Sequence, residues 1–136
     1  MNTTLDENSQ GETILVVEDN SAARGALEAI MEALGYQVIL AADGEQALAY
    51  FRAHPQAIDL VVSDLILPKM NGPELYAALK LERPDLKILI MSGYPLEDES
   101  EHLRQQGITH WIQKPFSMTE LAQEIRTALA DVAESR

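Results

Sequence analysis

The apolar positions along the chain follow two alternating patterns. Short and nearly continuous apolar runs predict strands that are buried on both faces, and longer stretches with apolar residues every three to four positions predict amphipathic helices. The strands are predicted at Thr13–Val17, Gln37–Ala41, Ile58–Asp64, Leu86–Met91 and Ile108–Ile112. The helices are predicted from Asn20 or Ser21 to Leu34, from Gly44 to just before Pro55, over Pro73–Glu82, over Leu96–Gln106, and from Ser117 to about Val132.

Strict alternation of strand and helix is typical of a parallel sheet that is covered by helices on both faces. Because crossovers between parallel strands are right-handed, few topologies remain. We expect an α/β fold of the flavodoxin-like (βα)5 type, a doubly wound parallel sheet with strand order 2-1-3-4-5. The domain should span residues 12–133, between a flexible polar tail at residues 1–11 and a short end at residues 134–136.

The composition narrows the classes of function. With 22 acidic and 10 basic residues the net charge is −12, which disfavours direct binding to nucleic acid. The chain has no cysteine, so disulfides, thiolate nucleophiles and cysteine zinc sites are excluded. No apolar stretch approaches the length that spans a membrane, so we expect a cytoplasmic segment without membrane contact.

Five polar residues follow or end the predicted strands: Glu18, Asp19, Asp64, Ser92 and Lys114. Each has an ordinary explanation taken alone, because acidic residues complement helix N-termini, hydroxyls cap turns and most lysines are solvated. Together they fall at the carboxyl ends of strands that the predicted topology makes neighbours, and open α/β sheets bind their ligands at this edge. We therefore expect one crevice with three carboxylates, a hydroxyl and an ammonium.

This set suits phosphoryl transfer to a carboxylate, with Asp64 as the nucleophile. An anion that approaches a phosphoryl group needs its charge neutralised, and Mg²⁺ does this with oxygen ligands. Asp19 and Asp64 can bind Mg²⁺ directly, Glu18 through water, and Ile66 through its backbone carbonyl. Lys114 can contact the phosphoryl oxygens as a point charge.

The chain resembles the response-regulator receiver domains of two-component signalling. The resemblance rests on four segments in order, at residues 14–20, 64–72, 91–93 and 114–116. It implies that Asp64 accepts a phosphoryl group from a phosphohistidine or a small donor, and that Glu18 and Asp19 hold Mg²⁺. It also implies that Ser92 is the switch hydroxyl and that Lys114 contacts the phosphate.

The resemblance further implies a switch aromatic residue in the fifth strand, which turns inward on phosphorylation. Trp111 stands three positions before Lys114, where tyrosine or phenylalanine is commoner. A half-buried strand aromatic without a switching role is equally consistent with the sequence. A large indole would also restrict inward rotation.

The implied partner is a histidine kinase or a histidine-phosphotransfer domain, and we expect a monomer. Small and apolar residues suit packing against a partner helix, and the candidates are Ala22, Ala23, Ala26, Pro115 and Phe116. Because the sequence ends soon after the last predicted helix, we expect a stand-alone receiver or one that belongs to a longer protein such as a hybrid sensor kinase.

Two other functions remain open. One is a pseudo-receiver that binds proteins without being phosphorylated, although all five site residues are present. The other is a nucleotide- or flavin-binding enzyme, which would need a glycine- or hydroxyl-rich phosphate loop where the chain instead has Glu18-Asp19-Asn20. We expect no turnover of an external substrate, only the chain's own phosphoryl transfer and dephosphorylation.

Overall fold

The computed structural model describes residues 11–96 and 99–131, and within them strands and helices alternate. The strands are β1 (Thr13–Val17), β2 (Gln37–Ala41), β3 (Leu60–Asp64), β4 (Ile88–Ser92) and β5 (Trp111–Gln113). The helices are α1 (Ser21–Ala33), α2 (Gly44–Ala53), α3 (Gly72–Glu82), α4 (Ser100–Gln105) and α5 (Met118–Ala130). The expectations for residues 1–10 and 132–136 lie outside the described residues.

The five strands form one parallel sheet in the order β2-β1-β3-β4-β5, which confirms the predicted fold class. Alternate side chains of each strand enter two separate cores. One core packs Leu15, Val61 and Ile90 against α2, α3 and α4. The other packs Val16, Val62 and Met91 against α1 and α5. Burial on both faces explains why the strands are continuous apolar runs in the sequence.

Side-chain hydrogen bonds mark where four of the helices begin, and Asp43 provides the cap of α2. The side chain of Asn20 accepts a hydrogen bond from the Ala23 amide and starts α1. Asn71 with Glu74, and Ser117 with Glu120, form reciprocal capping boxes at the starts of α3 and α5. These caps satisfy amides that would otherwise lack partners at the helix N-termini.

Several predicted boundaries are wrong. β5 begins at Trp111 and not at Ile108, because the amide of Ile108 donates to the carbonyl oxygen of Leu103 at the end of α4, at 2.9 Å. Ile108 is fully buried in a loop, so its apolar character reports burial and not strand pairing. β3 and β4 likewise start later than predicted, and β4 runs to Ser92.

The fourth helix is shorter than predicted. It begins at Ser100, whereas the sequence placed its start at Leu96, and residues 97 and 98 lie outside the described residues. No side chain caps its first turn, and only Leu103 is buried. A helix that is polar nearly all round has little apolar surface to hold it against the sheet.

Candidate functional site

The site residues meet at the carboxyl edge of the sheet. Parallel pairing of β1 with β3 sets Val17 beside Ser63, so Glu18 and Asp64 follow on adjacent strands. Pairing of β4 with β5 sets Ser92 beside Gln113, and the amide of Lys114 donates to the Ser92 carbonyl oxygen at 2.7 Å. The topology therefore brings together the residues that the sequence selected.

Three carboxylates converge there, from Glu18, Asp19 and Asp64. Each offers one oxygen atom, and these atoms all lie within 4.8 Å of one another. Glu18 and Asp64 are buried, whereas Asp19 is exposed at the mouth of the site. Oxygen ligands with this spread of burial fit Mg²⁺, which keeps several of its waters when it binds to proteins.

The ammonium of Lys114 lies between two of these carboxylates. Its Nζ atom is 2.8 Å from Asp64 Oδ1 and 3.1 Å from Glu18 Oε1. Both contacts, offsetting a loss of solvation by burial, raise the pKa of Lys114 above its usual value. The lysine therefore carries a positive charge between the two buried carboxyl groups.

The two buried carboxyl groups differ in acidity. Burial, together with the neighbouring Glu18 carboxylate, raises the pKa of Asp64 to about 7 despite the opposing effect of Lys114. Burial also disfavours ionisation of Glu18, but hydrogen bonds from Asp64, the Asn20 amide and Lys114 outweigh it and lower the pKa of Glu18. Two carboxyl groups in contact cannot both ionise freely, so Asp64 keeps its proton until the pH rises through about 7.

The hydroxyl of Ser92 is used locally. Its Oγ donates to the carbonyl oxygen of Tyr94 at 2.6 Å and accepts from the Tyr94 amide at 3.1 Å. The side chain is buried at the end of β4 but its hydrogen bonds close a turn. Ser92 would have to leave this turn before it could bind a phosphoryl group.

Trp111 and Ile66 are the two remaining predicted site residues, and Trp111 begins β5. Trp111 is half-buried against the core on the α2–α4 side of the sheet, as expected for a strand aromatic. Ile66 follows β3, and its exposed side chain lies 64% open to solvent. Its backbone carbonyl remains the predicted metal contact.

Arg24 is a residue of the site that the sequence analysis did not identify. Its guanidinium Nη1 donates to the carbonyl oxygen of Glu18 at 2.8 Å and to that of Asp19 at 3.4 Å. Arg24, in the first turn of α1, therefore fixes the backbone of Glu18 and Asp19. The only signal in the sequence was an arginine one helical turn after the cap residue Asn20.

The residues proposed for partner contact lie on one side of this edge. Ala22 and Ala26 are exposed on α1 and Ala23 is half-buried. Pro115 is exposed, and Phe116 packs partly into the core shared by α1 and α5. Since α1 and α5 cover the same face of the sheet, both groups border one surface.

Comparison with known proteins gives consistent results. A sequence profile of the response regulator receiver domain matches residues 14–126. A probable transcriptional regulator, ycf27 of Porphyridium aerugineum, is 40% identical over 126 residues, which cover 90% of this chain and 50% of that protein. The sensor kinase CckA of Brucella abortus is 34% identical over 117 residues, which cover 86% of this chain and 12% of the kinase.

A solved structure has the same fold. The chemotaxis protein CheY4 of Vibrio cholerae superposes with a TM-score of 0.80 at 26% identity, over 87% of this chain and 98% of that one. The chain thus covers nearly the whole of the CheY4 chain, but it spans half or less of the length of the regulator ycf27 and of the sensor kinase CckA. In the described residues, no helix is both long and apolar enough to cross a membrane.

Proposed function

This chain belongs to the response regulator receiver domain family of two-component signalling, and from that premise we propose that Asp64 accepts a phosphoryl group from a phosphohistidine. The single observation that carries the proposal is the Lys114 ammonium, held 2.8 Å from Asp64 Oδ1 at the carboxyl edge of the sheet. A carboxylate beside a fixed positive charge can approach a phosphoryl group with less repulsion. The third carboxylate at the mouth, Asp19, supports a cation site beside the nucleophile.

The proposed step transfers the phosphoryl group between two side chains. An Asp64 oxygen forms a bond to phosphorus while the bond from phosphorus to the donor's imidazole nitrogen breaks. The imidazole keeps the electron pair of that bond, and the product is an acyl phosphate on Asp64. Lys114 moves from the carboxylate to the phosphoryl oxygens, and Ser92 exchanges its turn hydrogen bonds for one to the phosphoryl group.

The acidic cluster would hold Mg²⁺ through Asp19, Asp64 and the carbonyl of Ile66, with Glu18 acting through water. The cation, when bound, would supply neutralisation of the phosphoryl and carboxylate charges. In this chain Glu18 also keeps Lys114 in place, since Lys114 contacts both Glu18 and Asp64. Glu18 therefore serves both the cation and the lysine.

The proposed partner is a helix of a histidine kinase or a histidine-phosphotransfer domain. The exposed alanines of α1 offer close approach without bulky side chains, and Pro115 and Phe116 add an apolar contact next to Lys114. This surface borders the edge that carries Asp64, so a histidine on a packed helix can reach it. The substitution Ala26→Arg should slow transfer from such a partner and leave transfer from a small donor unchanged.

The test is the intact mass of the protein after incubation with Mg²⁺ and a small acyl-phosphate or phosphoramidate donor. We expect one added phosphoryl group on the wild type and on Asp85→Asn, an exposed carboxylate away from the site. We expect none on Asp64→Asn and none when Mg²⁺ is chelated. If neither a small donor nor a phosphohistidine protein gives an adduct, and Mg²⁺ leaves the fluorescence of Trp111 unchanged, the proposal is wrong and a protein-binding scaffold is favoured.

A further inference from the structure

The guanidinium group of Arg104 lies over the face of the Trp111 indole ring. The Cζ atom of Arg104 lies 5.3 Å from the ring centroid, within the range of a cation–π contact. Arg104 belongs to α4 and Trp111 begins β5, so the contact joins the helix to the strand. Together with Leu96, Ser100 and Gln113 the pair lines a cleft of about 270 Å³.

The helix that supplies Arg104 is weakly anchored. α4 spans six residues, has no side-chain hydrogen bond at its N-cap and buries only Leu103. A helix of this length is marginal by itself and depends on tertiary contacts. The stacking of Arg104 on Trp111 is therefore one of the contacts that tie the last turn of α4 to the sheet.

The candidate switch hydroxyl is held separately. Ser92 pairs with Gln113 across β4 and β5, two residues beyond Trp111, and its hydroxyl is bonded to the backbone of Tyr94. In this conformation the Ser92 hydroxyl is hydrogen-bonded within a turn, and the Trp111 indole lies in the α4–β5 cleft. Movement of both toward Asp64 would have to break both sets of contacts.

We propose that Arg104 is a positioning residue that holds Trp111 in the α4–β5 cleft and thereby opposes the switch to the phosphorylated conformation. This inference rests on the proposed function and on the expectation that Trp111 turns inward when Asp64 is phosphorylated. Removing a contact that exists only in the major conformation increases the population of the minor conformation. A ligand or modification that favours the minor conformation then reacts with a larger fraction of the molecules. The Arg104 contact exists in the cleft arrangement and is lost when the indole leaves.

The size of the effect follows from the exposed position of Arg104. Exposed cation–π contacts contribute about 0.5–1 kcal/mol, which corresponds to a change of about two- to five-fold in a conformational equilibrium. The substitution Arg104→Gln should therefore raise the rate of phosphorylation by a small donor about two- to five-fold. Arg104→Lys keeps a cation over the ring and should restore most of the wild-type rate.

The lone tryptophan gives a readout that does not depend on phosphorylation. In the unphosphorylated protein, Arg104→Gln should change the emission of Trp111 and increase its quenching by acrylamide, while Arg104→Lys should lie near the wild type. The matched control is Lys80→Gln, which removes the same charge and also a cation–π contact, but from Tyr76. Lys80→Gln should leave both the emission and the phosphorylation rate unchanged.

A double variant shows whether Arg104 acts through the indole. In a Trp111→Leu background, Arg104→Gln should no longer alter the phosphorylation rate. The proposal is overturned if the rate gain persists in that background. It is also overturned if the wild type takes up a phosphoryl group and Arg104→Gln takes it up at the same rate. A wild type that takes up none refutes the proposed function instead, so the two failures are distinguishable.

Discussion

A Cβ atom on Gly72 would lie 2.5 Å from the backbone carbonyl oxygen of Asp64. The Gly72 amide also donates to the carbonyl oxygen of Leu65 at 2.9 Å. The start of α3 therefore packs directly against the end of β3, where the candidate nucleophile lies. Residue 72 requires a glycine for lack of space, since any side chain would push α3 away from the backbone of Asp64.

Gly72→Ala should accordingly destabilise the fold. A methyl group that is forced into packed backbone costs about 1–3 kcal/mol in the free energy of unfolding, which urea denaturation measures. Gly25→Ala is the matched control, because a Cβ there meets nothing within 4 Å and the residue is in α1. That change should stabilise the protein by up to about 1 kcal/mol, since alanine favours helices over glycine. Equal effects of the two substitutions would contradict the steric explanation.

Arg24 gives a second prediction. Its guanidinium bridges the carbonyl oxygens of Glu18 and Asp19, so its loss should loosen the loop that carries two of the three converging carboxylates. Groups that orient metal ligands typically change metal affinity about 10- to 100-fold when they are removed. Arg24→Gln should weaken Mg²⁺ binding by about ten-fold or more in titration calorimetry.

The charge of Arg24 needs its own control, because removing a cation could by itself strengthen Mg²⁺ binding. Arg24→Lys keeps the charge but lacks the planar group that reaches both carbonyl oxygens. It should weaken binding in the same direction as Arg24→Gln. Tighter binding by the glutamine variant would show that simple electrostatics outweighs positioning.

The sequence predicted which residues are buried and the order of the strands, but not the strand boundary at Ile108 or the contacts of Arg24. Apolar runs report burial, and their alternation with amphipathic helices predicted the parallel sheet and its strand order, whereas Ile108 is buried without belonging to a strand. Strand order then predicted which polar residues would meet, because only the backbone register is needed for that. The direction of a long polar side chain such as Arg24, or the clearance beside Gly72, depends on tertiary contacts that periodicity does not record.

A third prediction concerns pH in the absence of divalent cations. Burial and Glu18 raise the pKa of Asp64 to about 7, well above its usual value of 3.8. Between these two pH values the folded state keeps a proton that the unfolded state releases, so stability is lost as the pH rises through about 7. Asp64→Asn carries no such proton, and its melting temperature relative to the wild type should rise from pH 4.5 to pH 7.5 in a chelator.

The measurement is thermal unfolding of both proteins across this range. Titrating groups that do not contact Asp64 contribute equally to both proteins and cancel in the difference, and Glu101→Gln is the control for the loss of one exposed carboxylate. At pH 7.5 saturating Mg²⁺ should raise the melting temperature of the wild type more than that of Asp64→Asn, because the cation stabilises the wild type by binding to its folded state. A constant difference between Asp64→Asn and the wild type would refute the raised pKa.

Tyr76 provides a fourth prediction, at alkaline pH. Its hydroxyl donates to the Leu86 carbonyl oxygen at 2.9 Å, and burial raises its pKa to about 12 from 10.0. At pH 7 the substitution Tyr76→Phe should lower the free energy of unfolding by about 0.5–1.5 kcal/mol, because the carbonyl oxygen loses its donor.

At alkaline pH the ionisation of Tyr76 changes this difference. A folded pKa above the unfolded one means that the tyrosine's contribution is fully present below pH 10 and is lost as the pH rises through 12. Stability falls by about 1.4 kcal/mol per pH unit between these two pKa values, so the wild type should fall below the phenylalanine variant at about pH 10–11. Urea denaturation at pH 7 and at steps from pH 9 measures this crossing, and absence of a crossing would contradict the raised pKa of Tyr76.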